Sequence, residues 1–199
     1  MAIDDLRDLD RRAVRASVDV LTGAAGLDLT RPTPCAGWNL GELLAHMTVQ
    51  HHGFAAAAEG NGADPAVWRP APPGADPVGA YVAAADRVVT AFADPAVPER
   101  TLVLPEISDR LTFPAAQAIG FHFIDYVVHG WDLARALGRP YELDPELAPA
   151  ALAVARQVPD GERRLRPGAS FAPGLPVSPD APVLDQILAL LGRSPAWPD

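Results

Sequence analysis

The chain has 199 residues, 49% hydrophobic and 21% charged, with a formal net charge of −9, enough apolar material for a folded core and too much for global disorder. An acidic chain with no basic stripe is a poor partner for nucleic acid or anionic membranes, because neutralised phosphates supply most non-specific affinity. No apolar run approaches the ~20 residues that span a bilayer, and a single cysteine, Cys35, excludes an internal disulfide framework and a cysteine-based zinc knuckle.

All sixteen basic residues are arginine. With the Ala- and Pro-rich composition, this points to a high-GC genome of the actinobacterial kind. The first ten residues, MAIDDLRDLD, are acidic and amphipathic and lack the basic region and apolar block of a secretory signal. The chain therefore reads as cytoplasmic.

In chain order, residues 3–22 have the period of an amphipathic helix. Ile3, Leu6, Ala13, Val14, Ser17 and Leu21 share one face, and Asp4, Arg7, Arg11 and Arg15 point away. RPTPCAGW, at 31–38, is a constrained loop in which two prolines fix φ and Gly37 frees the turn. Asn39 and Glu42 have the spacing of a capping box, so a second helix starts there, carries Leu40, Leu43, Leu44 and Met47 inward, and fades near Gly60. Residues 61–75 are too rich in Pro and Gly for regular structure. A third helix covers 77–92. TLVL and RLTF, within 100–113, read as a short β-hairpin.

A fourth helix, 114–137, ends at Gly138 and Pro140. Further helices are expected at 145–157 and 183–191, either side of a turn-rich stretch. The expected fold is mainly all-α. Residues 1–140 form a helical bundle, and 141–199 are a C-terminal extension packed on it.

The fourth helix carries the chemistry. Between 119 and 137, apolar residues cover nearly every direction around the axis, the pattern of a buried helix. His122, Asp125, His129 and Asp132 interrupt it at steps of three, four and three, which puts them on one narrow lane. Buried charge is costly unless it is paired or coordinates a metal. A carboxylate and an imidazole four apart can share one cation, and helix-bundle sites draw further ligands from facing helices. His46, beside Leu43 and Met47, is the candidate on the second helix; His51 and His52 lie further round. The bland alternative for Asp125 and His129 is an ion pair. For Asp132 the choice is between orienting His129 from behind and an ordinary structural hydrogen bond. Cys35 and Trp38 read as packing residues, and Arg163, Arg164 and Arg166 as a solvated cluster.

TPCAGWNLGELLAHM (33–47) and DYVVHGWDLARALG (125–138) resemble the metal-binding domain of mycothiol-dependent maleylpyruvate isomerases, within the DinB-like superfamily. The tail from Phe171 to Trp197 is similar to that of short actinobacterial metal-binding relatives. The resemblance implies a DinB-like four-helix bundle and a divalent metal, zinc, held by His46, Asp125 and His129. It also implies mycothiol as the thiol. Two departures stand out. The isomerase pattern has glutamate where this chain has Asp125, one methylene shorter. The full-length isomerases also carry a separate C-terminal domain, where only about sixty residues follow the bundle here, so maleylpyruvate isomerisation is not carried over.

Three functions follow as expectations. With an open position on the metal, a small-molecule thiol would ionise and attack an electrophilic substrate, giving a transferase or isomerase. A hydrolase would instead activate water, with His122 or Asp132 as general base. A non-catalytic metal-binding protein would close the site with a fourth ligand such as His122 or His52.

Overall fold

A computed structural model describes residues 2–24, 26–166 and 169–198. Four long helices, α1 (Ile3–Thr22), α2 (Leu40–Ala58), α3 (Pro77–Ala93) and α4 (Ala115–Leu137), form the bundle. Around its axis the neighbours run α1, α4, α2, α3, so α1 and α2 stand on one diagonal and α3 and α4 on the other. The mainly all-α expectation holds, including the hairpin. β1 (Thr101–Val103) pairs antiparallel with β2 (Thr112–Pro114), with Leu102 opposite Phe113, and both of these side chains are buried. No described helix is long and apolar enough to cross a membrane.

Local chemistry sets the ends of the elements. The α1–α2 connection is held by Thr33, whose hydroxyl donates to the Trp38 carbonyl at 2.9 Å and accepts from the Cys35 amide at 3.1 Å. Gly37 turns the chain there at a φ of 85°, which a side chain would resist. The capping box then forms in full: the Glu42 amide donates to Asn39 Oδ1 and the Asn39 amide to Glu42 Oε2, both at 2.9 Å. A cap of this kind is worth about 1 kcal/mol. Gly138, at φ 68°, closes α4 in the left-handed conformation. The linker, expected to be irregular, contains one 3₁₀ turn (Pro65–Trp68), which Trp68 anchors by donating to the Gly62 carbonyl.

The helix expected at 145–157 is shorter, α5 (Ala148–Ala155), and α6 is Val183–Leu190. These two pack on each other, and Leu147, Ala151, Ala155, Ile187, Leu188 and Leu191 join the bundle's buried apolar cluster. Arg164, expected to be solvated, is buried. Its guanidinium donates to the carbonyls of Val158, Pro159, Ala172 and Leu190 and ties the turn-rich segment together. Carbonyls that would otherwise be orphaned in a loop explain its burial.

Candidate metal centre

α2 and α4 run antiparallel: His46 faces the Asp125–His129 turn, while His51, further along α2, meets His122, earlier on α4. This divides the polar lane into two layers. His122 and His129 are seven residues apart, so they stand about 10 Å apart along the axis at 1.5 Å per residue.

In the outer layer His46, Asp125 and His129 each offer one ligand atom, and these atoms lie within 4.8 Å of one another. His129 Nε2 is 3.4 Å from Asp125 Oδ1. The other ring nitrogen, Nδ1, donates to Asp132 Oδ2 at 2.9 Å, so Nε2 is the atom left for the site. A neutral His129 would then aim a lone pair at a carboxylate oxygen, and a cation between them, proton or metal, resolves the conflict. The His129 pKa follows suit: burial lowers it, but Asp125 and Asp132 outweigh burial and raise it overall. His46 goes the other way. Burial first, then the neighbouring His129, lower its pKa to about 4, so it is a neutral imidazole, the form that binds metals.

Two imidazoles and a carboxylate are donors that divalent metals such as zinc take. Bonds of about 2.0–2.1 Å at tetrahedral angles put neighbouring donor atoms about 3.3–3.4 Å apart, the separation seen between His129 and Asp125. The shorter Asp125 side chain reaches this geometry from its own turn. Among the described residues no fourth His, Cys, Asp or Glu joins the three.

Asp132 stands behind His129, and Arg193 stands behind Asp132. Arg193 Nε is 3.1 Å from both Asp132 oxygens, and Nη2 reaches Oδ2 at 3.1 Å and Cys35 Sγ at 3.3 Å. Cys35, His129 and Asp132 also bring three donors within 4.8 Å, but the guanidinium already sits against that side with its own positive charge. Burial, opposed by Arg193, pushes the Cys35 thiol up to about 11, so with no metal on it the thiol is protonated at neutral pH and a poor nucleophile. The Trp38 ring packs 4.7 Å from that of His46 and 6.4 Å from that of His129, walling the centre.

His122 lies in the inner layer and does not face the three candidate ligands. Its Nδ1 pairs with Asp10 Oδ1 at 2.7 Å and its Nε2 with His51 Nδ1 at 3.2 Å, all three side chains being buried. His52 instead contacts Arg87 at 3.3 Å. Sequence reasoning passed over Asp10, Arg193 and Glu106. Gln50, one turn beyond His46, donates to Glu106. Burial raises the Glu106 pKa, and the charge of Asp125 adds to the rise.

The profile of the mycothiol maleylpyruvate isomerase N-terminal domain family matches residues 10–134. The chain belongs to this family. It is also 34% identical over 191 residues to uncharacterized proteins of Mycobacterium tuberculosis strains CDC 1551 and H37Rv, covering 92% of this chain and 95% of theirs. No solved structure is a significant match. The family's matched region holds the three candidate ligands and Asp132, whereas Arg193 comes from beyond it.

Proposed function

We propose that the chain is a cytoplasmic, zinc-dependent transferase or isomerase that uses a low-molecular-weight thiol, mycothiol, against a small electrophile. The observation that carries this reading is a set of two imidazoles and a carboxylate with no fourth protein ligand among the described residues, in a chain of a mycothiol-related family. Zinc, held by His46, Asp125 and His129, would supply a Lewis-acid position at which a thiol would lose its proton.

The protein's own part is positioning and protection. Asp132 and Arg193 fix the His129 ring so that Nε2 faces Asp125. Trp38 excludes water from the His46 side. Cys35, held as a neutral thiol, does not compete with the incoming one. Glu106, with its raised pKa, is suited to take up the released proton. The thiolate sulfur would then add to an electrophilic carbon–carbon double bond as its π bond breaks, the neighbouring carbon taking up the proton that the thiol released. Retaining the carbon–sulfur bond gives conjugation, and breaking it after rotation gives isomerisation.

Water activation is less well supported. Both nitrogens of His122 are engaged in the other layer, and Asp132 is saturated by His129 and Arg193. A purely structural metal would be closed by a fourth protein ligand, and His52 and His122 both point elsewhere.

The test replaces zinc with cobalt and adds mycothiol. A sulfur-to-metal charge-transfer band should appear, absent from metal-free protein and unchanged in Cys35→Ser. A band that appears without added thiol and vanishes in Cys35→Ser would assign the sulfur to the protein and overturn the reading. No spectral change with mycothiol would overturn it equally.

A further inference from the structure

The C-terminal turn of α4 forms one wall of a second cavity, of about 540 Å3, lined by Arg31, Pro32, Arg135, Arg139, Trp197 and Pro198 among others. Three guanidiniums line it, and among the described residues no carboxylate does, in a chain of net charge −9. The three come from separate parts of the fold: the loop before α2, the last turn of α4 and the segment just past its end.

Part of this is helix chemistry, since positive side chains are favoured near a helix C-terminus. One arginine in the last turn meets that need, and three exceed it. None of the three is in an ion pair among the described residues. Two are pinned from behind. Arg135 Nη2 donates to the Pro195 carbonyl at 3.1 Å and its guanidinium lies 5.5 Å from the Trp131 ring centre. Arg139 donates to the Gly23 carbonyl. A guanidinium has five N–H donors, so each commits one to the backbone and keeps the others. Fixed, planar donors of this kind suit carboxylate or phosphate oxygens. Beside them Trp197 and the prolines offer an apolar wall, and the pocket is half open to solvent.

We propose that this cavity binds a small organic oxyanion with an aromatic or apolar body, the charged end on Arg31, Arg135 and Arg139 and the body against Trp197. The site is separate from the metal centre and does not rest on the thiol reading.

The probes are benzoate, phenyl phosphate, inorganic phosphate and uncharged benzyl alcohol, titrated into the full, metal-loaded chain by calorimetry. Benzoate or phenyl phosphate should bind saturably, whichever oxyanion the site prefers, and benzyl alcohol should not. Arg31→Gln and Arg139→Gln should each weaken binding about tenfold or more, and Arg163→Gln, on an exposed arginine elsewhere, should leave it unchanged. Trp197→Ala should weaken the ring-bearing probes and spare inorganic phosphate. Binding should survive removal of the metal. Should no probe saturate, should Arg31→Gln and Arg139→Gln bind like the parent, or should stripping the metal abolish binding, the proposal fails. Arg31 is exposed, so its variant remains informative if Arg139→Gln disturbs the fold.

Discussion

Arg193 Nε sits 3.1 Å from each carboxylate oxygen of Asp132, a residue 61 positions earlier, and both side chains are almost wholly buried. The pair ties the C-terminal extension to the imidazole of His129. Outer partners of this kind commonly change metal affinity 10–100-fold. Arg193→Gln and Asp132→Asn should therefore each weaken zinc binding by about that factor, read by competition with a chromophoric chelator. Arg193→Lys should rescue little, because a single ammonium cannot match the two-nitrogen grip. If both variants keep parental affinity, the pair holds the fold together without tuning the centre.

The three candidate ligands themselves give a sharper expectation. His46→Ala, Asp125→Ala and His129→Ala should each reduce zinc to a small fraction of one ion per chain, measured by elemental analysis after dialysis. His52→Ala, beside Arg87, should stay loaded. Asp125→Glu keeps a carboxylate at this position and should retain metal. Full occupancy in all three alanine variants would place the site elsewhere.

Much of this centre is readable along one helix. Asp125 and His129 are neighbours by spacing alone, and their place on an otherwise apolar α4 marks them as costly to bury without a purpose. His46 is readable because it shares a stripe with Leu43 and Met47. What lane geometry leaves out is depth: His122 shares the lane but stands two turns away, in a layer shared with α1. Asp10 is one acid among several in DDLRDLDRR, and only its 112-residue pairing with His122 distinguishes it from its solvated neighbours. Arg193 hides in the same way, in a tail whose pattern says only turns and one short helix. Arg164 reads as solvated because sequence does not show which carbonyls a loop leaves bare.

Acid should compete with the metal at His129. Burial lowers its pKa, but Asp125 and Asp132 raise it overall, above the usual 6.5 or so. The metal-free protein therefore keeps a proton there at a pH where an ordinary histidine has lost it, and zinc must displace that proton. Zinc affinity should climb as pH rises through the range just above 6.5. Calorimetry in buffers of different ionisation enthalpy should register close to one proton released at the low end and a diminishing fraction above. Affinity flat from pH 6 to 8 would mean that His129 is not the group the metal displaces.

The inner layer should govern acid stability. Asp10 accepts from His122 Nδ1, so His122 Nε2 is left to accept from His51 Nδ1. His51 Nε2 is then a bare lone pair, buried with no partner among the described residues, its ring stacked 4.0 Å from that of Tyr126. Burial, the largest cause, holds the His51 pKa well below 6.5. Below that value the unfolded chain takes up a proton that the folded chain refuses, so stability falls as pH falls, by up to about 1.4 kcal/mol per pH unit for one such group. His46 acts in the same direction down to about pH 4, and His129, raised, acts in the opposite one. His51→Asn keeps a donor for His122 and removes the titrating group. Urea unfolding of metal-free protein at pH 7.5, 6 and 5 should show the parent losing stability more steeply than this variant, by up to about 1.4 kcal/mol per unit. Asp10→Ala, which strands the buried His122 N–H, should cost about 3 kcal/mol at pH 7.5. Parallel pH profiles for the parent and His51→Asn would mean that His51 is protonated in the fold and that the chain of three does not end on a neutral ring.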